Sequence, residues 1–234
     1  MASISNNKKR LLDSKRKLVA KYDPKSPISE QYRTIRTNIL YSSIDQEMRS
    51  LMVTSSGPGE GKSTTTANLA VVFAQQGKTV LLVDADLRKP TVHYTFKLTN
   101  TTGLTSILTN QVDIMGAVNK TDENNLYVLP SGPIPPNPSE LLGSKAMEHF
   151  MEKALEEFDL IIFDTPPVLA VTDAQILANL CQGSILVVGS GKTEKDSLLK
   201  TKELLTASNG KLLGVVLNNK KADKKGSYYY YGTE

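Results

Sequence analysis

The 234-residue sequence holds one cysteine, two histidines and no tryptophan. A lone Cys181 excludes an internal disulfide framework and any multi-cysteine metal or iron–sulfur centre within one chain, and it is expected in the core. His93 and His149 are too few and too separated for a histidine metal cluster, so a metal here is expected on oxygen ligands. No apolar run approaches the roughly 18 residues that suggest a membrane span, and the first residues lack the apolar stretch of a secretory signal. A cytoplasmic location is the expectation. With 39% hydrophobic residues the chain can bury a substantial core and need form only one folded domain.

The net charge of +4 is unevenly spread. Residues 1–25 carry eight basic side chains (Lys8, Lys9, Arg10, Lys15, Arg16, Lys17, Lys21, Lys25) against Asp13 and Asp23, a local +6 that leaves −2 for the remainder. Such an arm fits an anionic surface, an acidic partner tail or plain solvation, and without basic-aromatic patterning elsewhere it does not argue for nucleic acid. The expected organisation is a basic arm over 1–25, a folded domain over 26–219 and a polar, tyrosine-rich tail over 220–234.

Beyond the arm, short apolar runs alternate with helical patterns. Strands are expected at 50–55, 79–84, 125–130, 159–164, 184–189 and 212–217, and helices at 29–42, 61–76, 138–157, 172–181 and 194–208. Gly77 marks one helix end and Ser139 one start. Runs this uniformly apolar suit strands buried on both faces, so the fold class is α/β with a predominantly parallel central sheet and helices on both faces. Region 88–124 reads as polar and irregular, either a lid or partner surface or an ordinary surface excursion. Pro133, Pro135, Pro136 and Pro138 stiffen the connection that follows it.

Three constellations carry chemistry. Ser56-Gly57-Pro58-Gly59-Glu60-Gly61-Lys62-Ser63 lies between an apolar run and a helical pattern, as a phosphate loop does, with Ser56 standing where glycine is usual. Its glycines let the backbone approach phosphate oxygens, the amides up to Ser63 and Thr64 can bind them, Lys62 reaches the terminal phosphates and the Ser63 hydroxyl suits Mg²⁺. The run Leu81–Val83 ends in Asp84-Ala85-Asp86-Leu87-Arg88, and strand alternation would place both carboxylates on one side. If this strand neighbours the phosphate-loop strand, the pair can approach the metal and the terminal phosphate. A third run, Ile161–Phe163, ends in Asp164-Thr165-Pro166-Pro167, where Asp164 has the character of a Mg²⁺ carboxylate. Together they imply a P-loop NTPase fold that uses a nucleoside triphosphate, ATP by the resemblance given next, and Mg²⁺.

With these elements the chain resembles the bacterial protein-tyrosine kinases, the BY-kinases, in the Gram-positive form whose cytoplasmic kinase is a separate chain. Glu30-Gln31-Tyr32-Arg33-Thr34-Ile35-Arg36 resembles the family's ring-forming motif, which implies that Glu30, Arg33 and Arg36 contact a neighbouring subunit of a homo-oligomeric ring, an octamer by resemblance. As chemistry alone those residues make a charged helix face. Tyr228, Tyr229, Tyr230 and Tyr231 are the expected phosphoacceptors, on a tail polar enough to reach another active site. The resemblance further implies Lys62, Asp84, Asp86 and Asp164 as the catalytic set. Asp84 is the base, Asp86 and Asp164 belong with Ser63 to the metal shell, and the two carboxylates of the second element are interchangeable on spacing alone. Asn218 is expected at the adenine, with Asn219 as an alternative and an Asn-Asn turn as the plain reading. Implied partners are the cytoplasmic tail of a membrane adaptor, which recruits and activates the kinase at the inner membrane face, and protein tyrosine substrates, in the service of capsule or exopolysaccharide production.

Two other functions use a similar fold. A Min- or Par-like positioning ATPase carries a signature lysine five residues before the loop lysine, where this chain has Gly57. A nonenzymatic regulatory subunit would use ATP only to control assembly, and the intact catalytic motifs argue against it.

Overall fold

The computed structural model describes residues 18–42 and 47–220. Strands form where the sequence runs apolar: β1 (Ser50–Ser55), β2 (Val80–Asp84), β3 (Asn119–Lys120), β4 (Leu126–Leu129), β5 (Leu160–Asp164), β6 (Gly183–Gly189) and β7 (Lys211–Asn218). Among the described residues they make one sheet in the order β3-β4-β2-β5-β1-β6-β7, parallel throughout except where β3 runs antiparallel to β4. β1, β2, β5 and β6 are buried along their whole length, as continuous apolar runs require when helices cover both faces.

Side chains alternate across this sheet into two cores. Leu51, Val53, Leu82 and Ile162 pack on the face covered by α1 (Val19–Tyr22), α2 (Pro27–Tyr41) and α3 (Lys62–Ala74). Met52, Leu81, Val83 and Phe163 face the opposite core, with residues of α8 (Lys145–Glu157), α9 (Asp173–Leu180) and α10 (Lys195–Thr206). Each fully buried leucine of this kind stabilises the fold by about 1.5–3 kcal/mol. Helix α3 is buried at every residue from Thr65 to Ala74 because it is roofed by α1 and α2, which explains its lack of a polar face.

Several boundaries differ from the sequence expectation, each for a local reason. The helix expected over 138–157 is two, α7 (Pro138–Leu142) and α8, because Gly143 ends the first and the Ser144 hydroxyl accepts from the Met147 amide to cap the second. Region 88–124 contains α4 (Val92–Phe96), α5 (Leu104–Leu108), α6 (Ile114–Ala117) and β3. Leu104, Leu108 and Ala117 of this region are buried in the core while Tyr94 and Met115 stay exposed, and Asp113 caps α6 through the Gly116 amide at 2.7 Å. Residues Leu18 to Tyr22, grouped by charge with the basic arm, are folded: Leu18 and Ala20 are buried, and the Ala20 amide donates to Asn68 Oδ1 at 2.9 Å. The rest of the arm up to Lys17 and the tyrosines Tyr228–Tyr231 lie outside the described residues. Cys181 is a core residue, as expected.

Candidate active site

Parallel pairing brings the C-terminal ends of β1, β2, β5 and β7 to one edge of the sheet, the edge at which open α/β sheets bind ligands. The phosphate loop leaves β1 there and enters α3 through Gly61, whose φ of 96° is in the left-handed region. No side chain caps α3, so its first-turn amides face the crevice as donors for an anion. The loop is held from several directions. The Ser56 amide donates to Glu60 Oε2 at 3.2 Å, the Ser55 hydroxyl donates to the Gly57 carbonyl at 2.8 Å, and Lys192 Nζ donates to the Pro58 carbonyl at 2.9 Å. Asn218, at the end of β7, donates through Nδ2 to the Glu60 carbonyl at 2.9 Å.

β2 does not neighbour the phosphate-loop strand, the condition under which the acidic pair is expected to approach the metal and the terminal phosphate: β5 lies between the two. β5 supplies the link itself, since Asp84 and Asp164 are register partners on adjacent strands. Strand alternation does not govern Asp86, because β2 ends at Asp84 and the chain turns. Asp84 is fully buried and accepts from three backbone amides: Thr91 at 3.0 Å and Val92 at 2.9 Å on Oδ2, and Asp86 at 3.3 Å on Oδ1. Asp86 accepts the Lys89 amide on Oδ1 at 3.0 Å and turns Oδ2 toward Lys62.

Lys62 is the centre of the arrangement. Its Nζ lies 3.1 Å from Asp86 Oδ2, 3.5 Å from Asp164 Oδ1 and 3.3 Å from the Ser63 hydroxyl. Burial alone would lower the ammonium pKa, but the Asp164 and Asp86 carboxylates overcome it and hold the pKa above its usual value. Burial raises the Asp164 carboxyl despite the opposing pull of Lys62 and Ser63. Asp84 is pushed up to about 8, chiefly by burial and then by the Asp164 carboxylate. Asp164 Oδ2 is buried with no hydrogen-bond partner among the described residues. Such an oxygen, beside Asp86 and the Ser63 hydroxyl, belongs to a donor set of hard oxygens that suits a small divalent cation.

Two residues absent from the sequence reading join this group. The Thr91 hydroxyl sits 3.2 Å from the Ser63 hydroxyl while its amide holds Asp84, and the Thr66 hydroxyl lies 3.4 Å from Asp164 Oδ1. Thr66, one turn beyond Lys62 on α3, was open to inference from helix periodicity. Thr91 carried no comparable signal. Glu30, Arg33 and Arg36 stand apart from the crevice on α2. Glu30 and Arg33 pair, Arg33 Nη2 donates to the Pro24 carbonyl at 2.8 Å, and Arg36 Nη1 donates to the Val72 carbonyl of α3 at 2.7 Å.

Comparison with known proteins agrees with this geometry. Residues 48–193 match the family described as AAA domain. The chain is 59% identical over 219 residues to tyrosine-protein kinase YwqD of Bacillus subtilis, covering 94% of this chain and 92% of that protein. Among solved structures it is similar to the chimerical protein CapA2B2, with a TM-score of 0.84 and 47% identity over 86% of this chain and 89% of that one. The kinase domain of the Escherichia coli tyrosine kinase ETK superposes with a TM-score of 0.83 at 32% identity, covering 91% and 84% of the two chains.

Proposed function

This chain belongs to the AAA-domain family and within it to the bacterial protein-tyrosine kinases, and we propose that it transfers the γ-phosphoryl group of ATP to Tyr228–Tyr231 of a neighbouring copy in an oligomer. The observation that carries the reading is the meeting of Ser63, Asp86 and Asp164 within 3.5 Å of Lys62 Nζ at the mouth of the phosphate loop. The loop amides from Gly57 to Thr64 position the phosphates, and Lys62, released from the carboxylates before the chemical step, neutralises charge that develops on the phosphoryl oxygens. Ser63, Asp86 and Asp164 would hold Mg²⁺, which would supply positive charge to neutralise the phosphates. Asn218 contacts the adenine.

A tyrosine hydroxyl, with an ordinary pKa of about 10, needs its proton drawn away. Asp84 serves as that base. Three amides hold the carboxylate in place, and since a carboxylate offers about four acceptor sites, Oδ1 retains capacity for the hydroxyl proton. The tyrosine oxygen bonds to the γ-phosphorus, the bond to the β–γ bridging oxygen breaks and ADP departs with that electron pair. A cleft of about 560 Å³ bordered by Gly57, Pro58, Leu169 and Lys192 offers the acceptor peptide a route to the loop.

Glu30, Arg33 and Arg36 form the contact to the next subunit in a ring of eight. The cytoplasmic tail of a membrane adaptor recruits the kinase to the inner face of the membrane and activates it, and the output is control of capsule or exopolysaccharide production. Incubation with ATP·Mg²⁺ and an adaptor-tail peptide, followed by intact-mass and peptide mass spectrometry, tests this. Phosphate on Tyr228–Tyr231 that is absent in Lys62→Met supports the proposal, whereas ATP hydrolysis with an unmodified tail points instead to a positioning switch.

A further inference from the structure

Asp86 has a support that the phosphate-loop chemistry does not account for. Two residues further on, the Arg88 guanidinium forms a fork with Asp173 at the start of α9: Nε donates to Oδ2 at 2.9 Å and Nη2 to Oδ1 at 3.0 Å. Nη2 also donates to the Ser139 hydroxyl at 3.0 Å, and that hydroxyl donates to Asp173 Oδ1 at 2.7 Å. The Thr172 hydroxyl stands 3.4 Å from Ser139 Oγ. Asp173 is fully buried, so its charge requires these donors, while the Arg88 side chain keeps 39% of its surface exposed.

The network joins three segments of the chain. Arg88 follows the acidic turn of β2, Ser139 lies in the first turn of α7, which starts at Pro138 after Asn137 rather than at Ser139 as expected, and Asp173 opens the helix that follows the Asp164 strand. A bidentate arginine–carboxylate pair fixes both distance and orientation, which a lysine in the same place cannot do. The backbone from Asp86 to Arg88 is thereby held at both ends: Asp86 Oδ1 takes the Lys89 amide, and Arg88 is anchored to the opposite wall.

We propose that Arg88, clamped by Asp173 and Ser139, is a positioning residue that sets the aim of Asp86 at the metal. This rests on the reading of the crevice as a magnesium–nucleotide site. Arg88 acts on Asp86 through the backbone between them, so the 10–100-fold that direct outer partners of metal ligands contribute is an upper bound on its effect. Arg88→Lys keeps the charge and loses the fork, so it raises the Mg²⁺ concentration needed for half-maximal binding of a fluorescent ADP by about 10-fold. Ser139→Ala, which leaves the fork intact, moves it less. Thermal melting of the nucleotide-free protein is recorded for each variant.

The full-length chain is titrated with Mg²⁺ at fixed fluorescent ADP, which reads metal binding without turnover. A raised Mg²⁺ requirement in Arg88→Lys, with a melting temperature close to wild type, supports the positioning role. An unchanged requirement in folded Arg88→Lys overturns it, whether or not the melting temperature falls. Should Arg88→Lys fail to fold, the Arg88→Gln/Asp173→Asn double variant, which loses the fork without leaving a buried unpaired carboxylate, decides by the same criterion. Wild-type protein that binds Mg·ADP but leaves its tail unphosphorylated would count against the kinase reading alone, and wild-type protein that binds no magnesium nucleotide would refute both.

Discussion

Replacement of Gly61 by alanine tests how tightly the phosphate loop is bound to the end of the sheet. Gly61 caps α3 with φ at 96°, and a Cβ there would lie 1.9 Å from Asn218 Nδ2 and 3.1 Å from its Cγ. Two costs follow. A side chain in this backbone conformation costs about 1–3 kcal/mol. The Asn218 amide must also withdraw, and its hydrogen bond to the Glu60 carbonyl contributes about 0.5–1.5 kcal/mol. Gly61→Ala should therefore destabilise the nucleotide-free protein by about 1.5–4.5 kcal/mol. Asn218→Ala loses the hydrogen bond alone, about 0.5–1.5 kcal/mol. In the double variant the same bond is lost once, so the sum of the single effects should exceed the double by about 0.5–1.5 kcal/mol, at or beyond the 0.3–0.5 kcal/mol scatter of independent sites. Urea midpoints at constant m-value measure all three. Strict additivity would refute the shared contact, and a neutral Gly61→Ala would refute the backbone argument itself.

Asp84 gives the nucleotide-free protein a pH dependence: its pKa rises from 3.8 to about 8, by burial first and by the Asp164 carboxylate second. The folded chain holds this proton more tightly than the unfolded chain, so the contribution is complete below about pH 4 and is lost as pH rises through about 8. Urea midpoints should fall from pH 5 to 8.5, and Asp84→Asn should flatten that slope; an equal slope in the variant would sink the assignment. For the oligomer, an Arg33→Ala/Arg36→Ala double variant should reduce the mass measured by light scattering, and a retained assembly would count against the α2 interface. Arg36 also bonds the Val72 carbonyl, so a parallel melt separates lost assembly from lost folding.

The parts legible in the sequence were those encoded within a few residues. Buried parallel strands announce themselves as apolar runs, and the phosphate loop needs its glycines, lysine and serine in one short stretch. The breaks were missed where a local stop signal interrupted a longer pattern, as at Gly143-Ser144, or where sparse apolar residues made short helices, as in α4 to α6. The order of strands was not legible at all, since nothing near Asp84 or Asp164 in sequence says that β5 sits between β1 and β2. The same limit hid Arg88–Asp173 and Asn218–Glu60, contacts made between segments 85 and 158 residues apart.

Strand order also determines the electrostatics of the site. Because β5 is central, Asp164 lies beside Asp84 on one flank and faces the phosphate-loop lysine on the other, so Asp86 and Asp164 share the ammonium of Lys62 while Asp84, with its pKa pushed up to about 8, holds its proton at neutral pH. That surplus of negative charge would repel a nucleotide phosphate arriving alone. Lys62 cannot both neutralise Asp86 and Asp164 and serve the phosphates, whereas a divalent cation on Ser63, Asp86 and Asp164 would release it. Metal and nucleotide binding are then coupled through one side chain: each ligand lowers the electrostatic cost of the other, and the lysine is delivered to the phosphates only when the carboxylates have another cation.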